Sequence, residues 1–137
     1  MVKYYVDTSI WRDLHENRRD NLRPLGEWAF ELFRMIRINK EMILYSDLVI
    51  KELLVTYTLT EINQLLTAIK ENRLQKVNIT DSQEKEARIL CNSLKIPIND
   101  CLHAILARDN KAVLVTRDHH FEQLTFIADI KKPEELI

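Results

Sequence analysis

The chain has 137 residues, 46% of them hydrophobic and 30% charged, with a formal net charge of −1. That length predicts one domain over residues 1–137, which can bury about two-thirds of the surface its unfolded form exposes; the ordinary apolar fraction excludes disorder, and the balanced charge gives no global attraction to nucleic acid or anionic lipid. Cys91 and Cys101, the only cysteines, sit in apolar helix-like stretches, which argues against a disulfide framework and for a reduced, cytoplasmic setting, and no apolar run approaches the ~18 residues of a membrane span, nor does the N-terminus have the layout of a signal peptide.

With one glycine and three prolines, the sequence is built mostly of regular elements. Residues 2–6, β-branched and aromatic, read as a strand that stops at the cap-type residues Asp7, Thr8 and Ser9. A short helix over 10–14 and a polar loop over 16–23 follow. Pro24 opens a helix with Trp28, Leu32, Met35 and Ile36 at core spacing, while Phe30, Phe33 and Arg37 lie on another face that reads as an exposed apolar patch. A second strand covers 42–45, and the helix after it runs over 48–57. Thr58 and Glu61 form a capping box for a helix through Glu71. Residues 77–79 are a third strand; Asp81 and Glu84 are a cap-like pair for a helix whose apolar positions are Ala87, Leu90, Cys91 and Leu94. Pro97 breaks it, and Asn99 and Asp100 start another helix through Arg108. Residues 112–115 are a fourth strand and 127–130 a fifth. Short apolar strands alternating with helices predict an α/β fold around a mainly parallel sheet of four to five strands.

In such folds ligands bind at the carboxyl ends of the strands. Asp7 follows the first strand, Asp118 follows the fourth, Glu52 lies early in the helix after the second, and Asp100 opens the helix after Pro97. Four carboxylates at one sheet edge repel one another unless a cation neutralises them, and a divalent ion with oxygen ligands also supports phosphodiester hydrolysis. On spacing alone the bland alternative stands beside this one: Asp7 and Asp100 as helix caps, Glu52 solvated, Asp118 in a turn. No phosphate-binding glycine loop and no serine-hydrolase elbow is present.

The particular residues decide between these. The run Val6-Asp7-Thr8-Ser9-Ile10-Trp11, the stretch from Tyr45 to Leu53, Ile98-Asn99-Asp100-Cys101-Leu102-His103-Ala104, Leu114-Val115-Thr116-Arg117-Asp118, and the ending from Ile130 to Leu136 occur in one order. Together they resemble the PIN domain, in particular the prokaryotic single-domain type found as the toxin of VapBC toxin–antitoxin pairs. The resemblance implies a three-layer α/β/α domain and Mg²⁺- or Mn²⁺-dependent ribonuclease activity. It implies Asp7, Glu52, Asp100 and Asp118 as the acidic site, with Asp7, Asp100 and Asp118 as metal ligands and Glu52 acting through water. Thr8, Ser9 and Thr116 would support the cluster by hydrogen bonding. It further implies an antitoxin partner whose helix packs on an apolar groove, and a homodimer. The alternatives are a catalytically weak PIN-fold module that binds RNA or protein, and a housekeeping RNA-processing nuclease.

One position departs from many relatives: His120 stands where an acid or asparagine is common, two residues past Asp118. Its imidazole can meet a bound water or a phosphate, and the lost charge weighs against a second metal. No cysteine or further histidine stands at zinc spacing from His119 and His120, so a closed structural zinc site is excluded. His103 reads as a packed or capping histidine, and Cys101 as a small buried residue. Arg12, Arg18, Arg19 and Arg23 surround the first loop and suit RNA phosphates, an acidic partner or a solvated loop equally; Arg117, beside Asp118, is the better phosphate contact by position.

Overall fold

The computed structural model describes residues 1–69 and 72–137; the expected continuation of one helix through Glu71 falls on Lys70 and Glu71, outside the described residues. Five strands form the centre: β1 (Lys3–Val6), β2 (Met42–Ser46), β3 (Arg73–Val77), β4 (Val113–Val115) and β5 (Ile130–Lys131). All the pairings are parallel, in the order β3-β2-β1-β4-β5, with Tyr4 opposite Ile43 and Tyr5 opposite Leu114. The central strands are buried along most of their length (Tyr4 to Val6 in β1, Leu114 and Val115 in β4), as expected where helices cover both faces.

The helices are α1 (Thr8–Glu16), α2 (Leu25–Ile38), α3 (Asp47–Leu54), α4 (Leu59–Ala68), α5 (Asp81–Leu94) and α6 (Ile98–Asp109), with short 3-10 helices at His119–Leu124 and Pro133–Glu135. From β1 through β3 the chain steps one way across the sheet; from β3 to β4 it steps back past β1. Right-handed crossovers then put α5 and α6 on the opposite face from α1 to α4. The packing agrees: α6 lies on β1 and β4, whereas α2 lies on β2 and α1 lies on α2 and α3. The result is the three-layer α/β/α arrangement with a switch point between the carboxyl ends of β1 and β4.

Several boundaries differ from the sequence expectation for local reasons. The third strand starts at Arg73 rather than Val77, because it is a sheet edge whose Arg73, Gln75 and Lys76 face solvent; only Leu74 and Val77 turn inward. Charged edge strands carry little apolar signal. The capping box of α5 is Thr80 with Gln83, one residue ahead of the expected Asp81–Glu84 pair, while the Thr58–Glu61 box of α4 is present as expected. The exposed patch expected on α2 is half right: Phe30 is 57% exposed, but Phe33 is 3% exposed and packs on Trp11, ring centroids 5.1 Å apart.

The single glycine has a specific place. A Cβ on Gly26 would lie 2.5 Å from Asn17 Cα. Asn17 ends α1 in the left-handed region (φ 47°), and the Gly26 N–H donates to the Arg18 carbonyl at 2.9 Å. The start of α2 therefore presses directly on the end of α1, which only a residue without Cβ permits. No described helix is long and apolar enough to cross a membrane.

Candidate active site

The site begins where β1 stops. The ladder continues for one bond, the Asp7 N–H donating to the Val115 carbonyl at 2.9 Å, and Asp7 then caps α1. Its Oδ2 accepts from the Ser9 hydroxyl at 2.8 Å and the Thr116 hydroxyl at 2.9 Å, with the Ser9 N–H at 3.4 Å. Cap and site residue are thus not exclusive roles. One carboxylate oxygen is held by the fold, and Oδ1 faces inward, 3.7 Å from His103 Nε2.

Glu52 reaches the same spot from α3. Its Oε1 accepts from the Thr8 hydroxyl at 2.8 Å and from His103 Nε2 at 2.5 Å. A carboxylate only accepts, so the proton lies on Nε2. On the other side of the ring, Nδ1 shares a hydrogen bond with the Tyr5 hydroxyl at 2.8 Å, which in turn bonds the Ser46 hydroxyl at 2.7 Å. Burial pushes Glu52 up, but the His103 bond and charge and the Thr8 hydroxyl outweigh it and leave the carboxyl below its ordinary value. For His103 burial pulls down, and the Glu52 hydrogen bond with the charges of Asp7, Glu52 and Asp100 prevails, leaving the imidazole raised. Sequence reasoning treated His103 as packing. It is indeed fully buried, yet it is also the hub between β1, β2, α3 and Asp7. Its helical spacing of three from Asp100 was the one local signal of this.

Asp100 sits in the first turn of α6 and Asp118 in the turn after β4. Asp118 is fixed locally: its N–H donates to the Thr116 hydroxyl at 3.2 Å, and its Oδ1 accepts from the His120 N–H at 3.0 Å, capping the following 3-10 helix. His120 Nδ1 lies 3.2 Å from both Asp100 Oδ2 and Asp118 Oδ1. Asp100 Oδ2 is nevertheless buried without a hydrogen-bond partner. Burial first, then the charges of Asp118 and Asp7, push the Asp100 carboxyl up to about 6, with His103 and His120 pulling the other way.

These contacts bring all four expected carboxylates to one edge: Asp7 and Glu52 share His103, and Asp100 and Asp118 share His120. Single ligand atoms of Asp7, Glu52 and His103 lie within 4.8 Å of one another, as do those of Asp118, His119 and His120. A carboxylate-rich donor set with one orphaned buried oxygen fits a divalent cation. Thr8, Ser9 and Thr116 donate to Glu52 or Asp7, as the hydrogen bonds above describe.

The expected basic contacts divide. Arg117 is engaged within the fold: its guanidinium donates to Asp13 at 3.2 Å and to Glu134 at 2.9 Å, lies 5.7 Å from the Trp28 ring centroid, and is only 12% exposed in its side chain. Buried Asp13 and partly buried Glu134 hold it, which fastens the C-terminal 3-10 helix to the segment before Asp118, while Arg117 also lines the depression that runs past Asp118. Arg12 lies 3.6 Å from Glu16, an acid that also accepts from the Tyr57 hydroxyl. Two depressions flank the carboxylates. One of about 410 Å³ opens beside Glu52, with Lys51, Arg88 and Asn99 in its walls. The other, of about 690 Å³, runs past Asp118 and His119 along Arg18 and Arg19.

A family model described as PIN domain matches residues 4–127. Among solved structures, the chain is similar to VapBC2 from Rickettsia felis bound to a DNA fragment from its promoter, at 20% identity over 96% of this chain and 98% of that one, TM-score 0.69. It is similar to VapBC-1 from nontypeable Haemophilus influenzae at 18% identity, over 97% and 99%, TM-score 0.65, and to a toxin–antitoxin complex from Klebsiella pneumoniae at 16%, over 95% and 97%, TM-score 0.65. Likeness at these identities shows the fold. No curated protein matches the sequence.

Proposed function

The chain belongs to the PIN-domain family, whose general property is nuclease activity, and from that premise we propose that it is an Mg²⁺- or Mn²⁺-dependent endoribonuclease hydrolysing RNA phosphodiesters, acting as the toxin of a type II toxin–antitoxin pair. The observation that carries the reading is the convergence of Asp7, Glu52, Asp100 and Asp118, with Asp100 Oδ2 buried and unpartnered. Asp7, Asp100 and Asp118 would hold the ion. When bound, it supplies positive charge that acidifies a water and offsets charge on the phosphoryl oxygens.

The chain's own residues do the rest. Ser9 and Thr116 keep Asp7 in one orientation. Glu52, steadied by Thr8 and His103, takes the proton of the attacking water, while its depressed basicity keeps it ionised at neutral pH. Water adds to phosphorus and the bond to the departing ribose oxygen breaks. The depressions on either side of the carboxylates give the RNA strand a path, with Lys51 and Arg88 on one flank and Arg18 and Arg19 on the other.

An antitoxin fits the α1–α2 surface, where Phe30 is exposed beside a groove of about 440 Å³ lined by Leu14, Asn17, Gly26, Glu27 and Glu31. Partner-free protein incubated with mixed tRNA and structured RNA should cut with Mn²⁺ or Mg²⁺, and cease with EDTA or in Asp100→Asn. No cutting under any metal transfers the reading to a binding module. A short adjacent reading frame whose product co-purifies with this chain and blocks cutting distinguishes toxin from housekeeping nuclease.

A further inference from the structure

Three donor atoms stand together at the Asp100 end of the site with nothing that binds them to one another. His120 Nδ1 is 3.2 Å from Asp100 Oδ2 and 3.2 Å from Asp118 Oδ1. Neither approach is a hydrogen bond, and Asp100 Oδ2 has no partner although the residue is only 8% exposed. Two carboxylate oxygens and the nitrogen of a neutral imidazole at these distances repel unless a cation lies among them, whereas a protonated imidazole pairs with the carboxylates.

The histidine is held there. Its backbone N–H donates to Asp118 Oδ1 at 3.0 Å, and the next residue, Phe121, is buried and packs 6.5 Å from the His103 ring. His119 groups with Asp118 and His120 within 4.8 Å, a set that does not include Asp100, and its side chain is largely in solvent. We propose that His120 Nδ1 is a direct metal ligand, giving this centre one nitrogen donor between Asp100 and Asp118 and a preference for first-row transition ions over Mg²⁺. The proposal rests on the reading that the carboxyl edge holds a divalent ion, and it deepens that reading.

The chemistry follows from ligand type. Mg²⁺ takes oxygen ligands and water almost exclusively, whereas an imidazole favours ions from Mn²⁺ towards Zn²⁺. Coordination through Nδ1 leaves the proton on Nε2, which points away from the carboxylates. The position that looked like a lost acid thus becomes a change of metal preference.

The test uses Mn²⁺ alone, without RNA. Electron spin-echo spectra of the Mn²⁺-loaded protein should show a directly bound imidazole nitrogen that vanishes in His120→Asn and His120→Ala, with far-UV circular dichroism checking that both variants fold. Competition titrations should show the Mn²⁺-over-Mg²⁺ preference falling about tenfold in the same variants. Mn²⁺ that binds with no nitrogen coupling, or with a coupling that survives in both variants, overturns the nitrogen ligand and leaves the metal reading standing. Protein that binds neither ion overturns both.

Discussion

The two halves of the carboxyl edge are built from the same materials, two acids and one histidine each, and are organised in opposite ways. In the half around His103, donors meet acceptors: Asp7 Oδ2 and Glu52 Oε1 each accept from two side chains, and the imidazole is anchored through Tyr5 to Ser46. In the half around His120, the nitrogen faces two carboxylates without bonding either, and Asp100 Oδ2 is left alone. The first half is hydrogen-bonded throughout; the second leaves a buried carboxylate oxygen without a hydrogen bond. Local violations of polar satisfaction of this kind mark functional positions, because folding alone does not maintain them.

Four changes break or sharpen that contrast. Asp100→Asn has the largest expected effect, a loss of at least about a hundredfold in RNA cleavage, since it removes a ligand rather than a support. The same variant should be more stable than the parent when metal is withheld. The fold raises this carboxyl from 3.8 to about 6, so it favours the protonated form. The parent therefore loses on the order of 2–3 kcal/mol, relative to the variant, as pH climbs from about 4 through 6. Thermal melts in EDTA at pH 4.5 and pH 8 check the sign; a gap that shrinks with rising pH would contradict it.

His103→Ala should do the reverse. It strips the satisfied half of its hub and leaves Glu52 with Thr8 alone and Tyr5 with Ser46 alone, costing about 2–4 kcal/mol in urea denaturation at any metal concentration. Thr8→Val, which leaves Glu52 with His103 alone, should cost about 1 kcal/mol and reduce cleavage by no more than about tenfold. Smallest is Arg12→Ala, whose ion pair with Glu16 is partly exposed; its stability should change by about 0.5 kcal/mol or less. An Arg12 variant that abolishes cleavage while folding normally would show that this arginine touches RNA.

The acids were legible in the sequence because their signals are local. Asp7 and Asp118 follow strands and cap what comes next, and Asp100 lies in the first turn of a helix after a proline. What joins them was not legible. His103 bonds Tyr5 and Glu52, residues 98 and 51 positions away, and only its spacing of three from Asp100 hints locally at more than a packed ring. Arg117 was only partly legible for the same reason. Its position beside Asp118 suggests phosphate, but Asp13 lies 104 residues away in sequence, and only the fold shows that this buried acid needs it. The β3 edge was displaced because its exposed face carries charge where a core strand would carry apolar residues.

That last arginine has a practical consequence for anyone handling the protein. Glu134, three positions from the final residue, clamps the guanidinium whose backbone immediately precedes Asp118, and the 3-10 helix around it packs on α2. Trimming the terminal residues, or fusing a tag tightly against them, pulls from behind on the loop that carries Asp118. Met1, 72% exposed, is the safer end for a fusion. A preparation truncated at Lys132 that no longer cuts RNA would be reporting a broken clamp, not an absent activity.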